Sequence, residues 1–344
     1  MKYVFILIFA FTLIFVLPEQ GVAGSSRLSK TGTTAAQFLK IPVGGRAIGM
    51  GGAYVALSND ATAMFWNPAG LAQLAGRGAV SFVHTPWLAE MNFNYAAAAI
   101  RVGTAAALGV SFTSLSMDDM KVRTEFEPEG TGEYFSALDM ALGLSFATRL
   151  TDRFSIGLTG KYVRQQIWHM TAATFAFDLG ILYRTDYDWL TLGLSVSNFG
   201  PKMHYTGKDV FVNYDFTPEE WGDNENIFAD LQTDYWDLPL LFRFGLAAKV
   251  VNNKRSRFTC TIEARHPNDN TESLSFGAEY GFRRRFFLRA GYQALFERDS
   301  EKGLTAGAGF VYFLSPSLPL FLDYAYADWG RLTNVHRFSL EFHF

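Results

Sequence analysis

Arg337-Phe338-Ser339-Leu340-Glu341-Phe342-His343-Phe344 alternates without a break. Phe338, Leu340, Phe342 and Phe344 fall on one face of an extended chain, and Arg337, Ser339, Glu341 and His343 on the other, because successive side chains of a strand point to opposite faces. In water such a strand is the half-buried member of a sheet. In a membrane it is barrel wall, apolar toward lipid and polar toward the lumen.

The rest of the chain repeats the pattern in runs of about ten residues, the length a tilted membrane strand needs. Leu138, Met140, Leu142, Leu144 and Phe146 oppose Asp139, Ala141, Gly143 and Ser145. Phe175, Phe177, Leu179, Ile181 and Tyr183 oppose Asp178, Gly180 and Arg184. Phe258, Cys260, Ile262 and Ala264 oppose Thr259, Thr261, Glu263 and Arg265. About fourteen runs follow one another, an even number as a bacterial single-chain barrel requires. They start near Ala79, Phe93, Thr104, Ala137, Arg153, Ala173, Leu190, Leu238, Arg257, Ser273, Arg285, Gly303, Leu318 and Val335. Every second connection is tight, from Val102-Gly103 to Leu314 through Ser317. The long ones, Ser116 to Ser136 and Gly200 to Asp237, share the other parity. Outer-membrane barrels keep short turns in the periplasm and long loops outside, whereas a soluble sandwich has no reason to sort loops by parity. The expected fold is therefore all-β, a transmembrane antiparallel β-barrel of about 14 strands. Trp168, Tyr183, Trp189, Tyr292, Tyr312 and Trp329 near the strand ends read as interface girdles.

Residues 1–24 read as a signal peptide: Lys2, an apolar run from Tyr3 to Leu17, and small Gly21 and Ala23 before a cleavage site. A formal net charge of −3 offers no broad basic surface, so nucleic acid is not an expected partner. Cys260 is the only cysteine, so no intramolecular disulfide forms.

Residues 25–76 do not alternate and are expected to fold as a plug, or hatch, inside a barrel of residues 77–344. The segment is too apolar for a free tail and too short for a domain. Its glycines permit positive φ and close backbone approach, and Asn67-Pro68 starts a turn. A phosphate-binding reading fails, because no Gly-Lys-Ser/Thr follows and Gly49-x-Gly51 lacks the third glycine in register.

The run Gly44-Gly45-Arg46-Ala47-Ile48-Gly49-Met50-Gly51-Gly52-Ala53, then Asn59-Asp60 and Trp66-Asn67-Pro68-Ala69-Gly70-Leu71, resembles the PorV/PorQ family within the FadL-like outer-membrane barrels. The close resemblance spans Phe38 to Leu71. It implies a hatch closing the lumen, with Arg46, Asn67, Pro68 and Gly70 pinning it to the inner wall. Two functions follow from the resemblance. PorV-type members serve type IX secretion, as scaffolds or shuttles for exported proteins. FadL-type members pass long-chain fatty acids and other hydrophobic small molecules, and Asn-Pro-Ala-Gly-Leu is the form shared with them. Expected partners are thus outer-membrane lipid, secreted proteins or secretion-system components, and a fatty-acid-like ligand, in the bacterial outer membrane.

The inward faces are expected to carry both signs of charge: Asp139, Lys161, Asp178, Arg243, Lys249, Glu263, Arg265, Glu279, Arg285, Arg289, Asp323, Arg337 and Glu341. Unpaired buried charges are costly, so an ion-pair network is expected; a proton relay is the alternative. The six histidines show no spacing that would share a zinc. No nucleophile, base and orienting group stand out together, so no enzyme activity, cofactor or metal is expected. The loop from Gly200 to Asp237 is acidic and carries Trp221, Phe228, Tyr235 and Trp236. Such aromatics suit a partner-binding surface or a cap with its own small core.

Overall fold

The structure, a computed structural model, describes residues 30–215, 227–253, 255–297, 300–315 and 318–344; the expected signal peptide and Trp221 lie outside them. Among the described residues fourteen long strands form one closed sheet: β1 Gly78–Pro86, β2 Asn92–Val102, β3 Ala106–Ser116, β4 Ala137–Arg149, β5 Phe154–Ile167, β6 Met170–Arg184 and β7 Leu190–Phe199, then β8 Leu241–Asn252, β9 Ser256–Pro267, β10 Ser273–Phe282, β11 Phe286–Leu295, β12 Leu304–Ser315, β13 Leu318–Asp328 and β14 Asn334–His343. Each pairs antiparallel with the next. β14 returns to β1, with Ala79 opposite His343 and His84 opposite Phe338, so the sheet has no free edge.

Alternation sets the two faces. On β4 Leu138, Leu142, Leu144 and Phe146 are exposed, while Ala141, Ser145 and Ala147 are buried. On β14 Arg337 is fully buried and Phe338 exposed. Apolar residues thus face outward, where a hydrocarbon layer replaces water. Every expected run begins within three residues of an observed strand, the largest offsets being Ala173 against Met170 and Leu238 against Leu241.

The parity of the connections needs one correction. The two longest do lie at one end, but the turn between β5 and β6 at that same end is only Trp168-His169. Trp168 adopts φ 49 and stacks on His169 at 4.3 Å, which closes a two-residue hairpin there. Trp329 also departs from its expected girdle role. It is half-buried and meets Trp87 edge-on, with ring centroids 5.2 Å apart.

The long connections carry short ribbons of their own. Met120–Lys121 pairs with Tyr134–Phe135, and Phe211–Tyr214 with Ile227–Asp230. Thr206–Gly207 pairs with Met170 and Thr171, which folds the second loop back over the end of β6.

Candidate functional site

The amino-terminal segment runs against inward-facing side chains from most of the barrel. Local sequence keeps its elements short. Gln37–Lys40 is one 3₁₀ turn, α1 spans Gly45–Gly49, α2 spans Ala63–Trp66, and Pro68–Gln73 is a second 3₁₀ stretch. Asn67 ends α2 in extended backbone, and its side-chain Oδ1 accepts from Ala69 N at 3.2 Å to cap the next turn. Pro68 fits the first position of that turn, where no backbone donor is needed. Phe38, Leu39, Met64, Leu71 and Leu74 join Val83, Phe93 and Tyr95 of the wall in one apolar cluster.

Arg46 projects from α1 to the wall. Its Nε and Nη2 donate to the two oxygens of Glu279 on β10, at 2.9 and 3.2 Å. Its Nη1 donates to Tyr54 Oη at 2.9 Å and Asn59 Oδ1 at 3.0 Å. Glu279 also accepts from Arg289 Nε and Arg257 Nη2, each at 2.9 Å, and Arg289 continues to Asp323 at 2.5 Å. Three arginines thus meet Glu279, Asp323 and Asp60, a balanced set in a confined space. Burial alone would lower the basicity of the Arg46 guanidinium, yet Glu279, with smaller contributions from Tyr54 and Asp60, holds it well above its ordinary value. Asp60 accepts the Tyr54 hydroxyl and the backbone of Thr62.

A second anchor is Glu263 on β9. Its Oε2 accepts the backbone N–H groups of Tyr54 and Val55 at 2.8 and 2.9 Å. Its Oε1 accepts Arg265 Nε at 3.0 Å, and Arg265 Nη2 reaches Gly52 O at 2.6 Å. Trp66 is buried, donates its indole to Val43 O at 2.9 Å, and lies under Arg243 at 5.2 Å. Such charge-assisted bonds to backbone fix the path of a chain that has little regular structure.

Asn67 ties the turn to the wall by donating to Val55 O and to Ile181 O of β6, both at 2.9 Å. Gly45 N donates to Ser339 Oγ at 2.6 Å, and Gly51 N to Thr305 Oγ1 at 3.0 Å. Gly51 has φ 67, and a methyl added there would overlap the backbone of Phe276 and Tyr292. Gly44 and Gly52 also have positive φ, Gly49 abuts Gly307, and Gly70 abuts Ser58. The inward glycines of the wall serve contact. Side chains at Gly157, Gly180, Gly193, Gly245 or Gly277 would overlap Pro68, Asn67, Ala56, Val55 and Met50.

The outer end has a further anchor that sequence reasoning missed. Asp269, between β9 and β10, accepts Thr34 Oγ1, Gln37 Nε2 and Lys40 Nζ on one oxygen, each at 2.7 Å. Burial pushes the Asp269 carboxyl up, but these donors hold it below its ordinary value. Nothing in the spacing could have paired Lys40 with a residue 229 positions away.

In the acidic outer loop, Phe228 is 84% exposed, and Tyr235 and Trp236 are exposed as well. Tyr235 lies against His204 at 4.3 Å, and Trp236 pairs its backbone with Met203. Phe126 of the other long loop is 93% exposed. The loop bases are anchored, through buried Met203 and Leu238 and through Ala35 N donating to Asp237 O at 2.9 Å, while the aromatic rings project.

A closed fourteen-strand antiparallel wall is the fold this chain shares with solved channel structures. It is similar to the CymD monoaromatic hydrocarbon channel (TM-score 0.55, 14% identity, 88% of this chain and 96% of that one). It is also similar to the toluene transporter TodX of Pseudomonas putida (0.55, 11%, 86% and 95%) and to a Pseudomonas aeruginosa FadL homologue (0.51, 14%, 87% and 96%). At such identities the likeness is one of fold. The family description "type IX secretion system protein PorV" matches residues 24–219, and the chain belongs to that family. It is a protein of the bacterial outer membrane. No curated protein sequence matches it significantly.

Proposed function

We propose that residues 25–76 act as a fixed plug and that the barrel is a non-enzymatic scaffold or shuttle whose outer loops hold exported proteins. The observation that carries this reading is the set of projecting aromatics on anchored outer loops: Phe126, Phe228, Tyr235 and Trp236. Large apolar side chains left in water on a fixed base are what a partner's hot spots pack against. The acidic surroundings favour a basic partner surface. The anchors at Glu279, Glu263 and Asp269 support a static plug, because releasing it leaves several buried carboxylates without partners at once. Replacing Phe228 and Trp236 by serine should leave the barrel folded and reduce release of exported proteins. Unchanged secretion by that variant, or by a deletion strain, would overturn the reading.

A second reading, passage of long-chain fatty acids or similar molecules, is favoured by one feature. The β6–β7 ladder breaks register between Phe177 and Leu179, opposite Asn198 at φ 65. Asp178 seals the break from inside by accepting Asn198 N at 2.8 Å and Lys161 Nζ at 2.8 Å. If this is a path, Asp178→Ala should change fatty-acid uptake into vesicles; equal uptake would remove it.

A further inference from the structure

We propose that the basic turns at the periplasmic end of β8 to β11 dock an acidic, carboxylate-rich segment of a periplasmic protein. Lys249 to Arg257 and Arg283 to Arg285 together hold seven lysines and arginines and no carboxylate. Both stretches lie at the end with the tight turns, opposite the acidic outer loops, so charge is polarised across the wall. The neighbouring turns add Arg149, Asp152, Arg153, Arg184, Asp186 and Asp188, and there Arg153 pairs with Asp186. Lys249 stands within electrostatic range of Arg184, Arg257 and Asp188, which extends the basic surface toward β6.

The backbone holds these arginines where local preference would not. Arg285 N donates to Phe282 O at 3.0 Å and closes a turn whose two central residues, Arg283 and Arg284, have φ 50 and 54. Asn and Gly fit such a turn without strain, whereas arginine in the left-handed region is strained. Strain kept at two adjacent positions points to a task for their side chains. Arg283 N also donates to Arg255 O at 2.7 Å, which ties this turn to the one between β8 and β9.

The two turns enclose a shallow depression lined by Asn253, Arg255, Arg257 and Arg284 over Gly281 and Phe287, with no acidic residue in its lining. Gly281 and Phe287 are buried on the inner face, so the depression opens on the lumen side of the turns. Arg257 is held from behind, where its Nη2 donates to Glu279 Oε1 at 2.9 Å. Arg255 and Arg284 are exposed and form no ion pair among the described residues. Arg283 and Arg285 turn the other way, over the lipid-facing rings of Phe282 and Phe313 at 5.3 and 5.8 Å. Leaflet headgroups can meet that second pair, but the wall separates them from the first. A chain entering from the periplasm can reach the first pair, and guanidinium groups around one depression suit carboxylates through paired, charge-assisted bonds.

The test uses the whole barrel in phosphatidylcholine nanodiscs and a fluorescent hexaglutamate peptide, read by anisotropy. The outer loops repel this probe, so binding reports the periplasmic face. Binding is expected, and it should weaken as salt rises. Arg255→Ser with Arg284→Asn should cost tenfold or more in affinity. Arg283→Asn with Arg285→Ser removes the same charge from the lipid side and should cost less than threefold. Asparagine accepts the left-handed conformation, so both hairpins should form, and folding is checked by heat-modifiable migration. Absence of binding overturns the proposal. Equal losses in the two variants would mean a diffuse field, and displacement by equimolar inorganic phosphate would mean a small-anion site; either overturns it. Loss of retained phosphatidylglycerol in the first variant, with the peptide unbound, would assign the arginines to headgroups and also overturn it. Capture of exported proteins by the outer loops is a separate readout, so either idea can fail alone.

Discussion

Glu279→Gln removes one negative charge from the point where three arginines converge. The carboxylate is 1% exposed and accepts from Arg46, Arg289 and Arg257. Glutamine keeps the shape but offers one acceptor oxygen to three guanidinium groups, leaving Asp323 and Asp60 to balance them. Removing one partner of a buried pair costs about 3–5 kcal/mol, because the other charge stays desolvated. Arg46 keeps its bonds to Tyr54 and Asn59, so the loss at the amino-terminal segment is set near the lower bound, about 3 kcal/mol. At about 1.4 kcal/mol per tenfold, that is roughly a hundredfold rise in local opening. Hydrogen exchange read by mass spectrometry in detergent should show it between Arg46 and Gly52, while β4 to β6 remain protected. Arg46→Met combined with Glu279→Gln removes one charge of each sign and should recover part of the loss. Unchanged exchange in the single variant would mean that Arg46 does not anchor the segment.

Gly180→Ala should destabilise the barrel by about 1–3 kcal/mol in denaturant titrations, since its methyl meets Asn67 and Pro68. Gly160→Ala, whose methyl meets only Phe177 at ordinary contact distance, should stay within about 0.5 kcal/mol. Arg337 is fully buried, stacks on Trp87 at 5.3 Å, and has no hydrogen-bond partner among the described residues. Arg337→Met should therefore raise stability by about 1–4 kcal/mol, and a loss would reveal a partner. Asp269 is held below its ordinary carboxylate value, so its contribution is complete above the unfolded value of about 4 and fades as pH falls through the lower folded value. Exchange of the amides from Ala36 to Ile41 should accelerate on that acid side, and Asp269→Asn should accelerate it at neutral pH and remove the pH dependence.

The wall was legible because strand alternation is local. Leu138 through Phe146 declare their faces within nine residues, and both faces appear as read. The tight turn at Trp168-His169 was not foreseen, because no glycine or asparagine marks it; a tryptophan takes the left-handed conformation instead. Most charged residues of the inner face could be named from sequence, Arg285 excepted because it lies exposed in the turn before β11, but their pairings could not. Arg46 and Glu279 are 233 residues apart, and only barrel closure sets them opposite each other. The inward glycines were visible as small positions, but sequence shows the missing side chain and not the backbone that occupies its place. Trp329 was assigned to a girdle by its position near a strand end, yet Trp87 draws it inward.

The most direct measurement places a photo-crosslinking residue at Phe228, irradiates intact cells, purifies the barrel from the native outer membrane, and identifies what is attached. The expected result is a set of exported proteins in stoichiometric amount, lost when the crosslinker is moved to the lipid-facing Leu144. A barrel carrying no protein partner, with a fatty acid or similar apolar molecule inside it, would contradict the scaffold reading and leave passage through the wall.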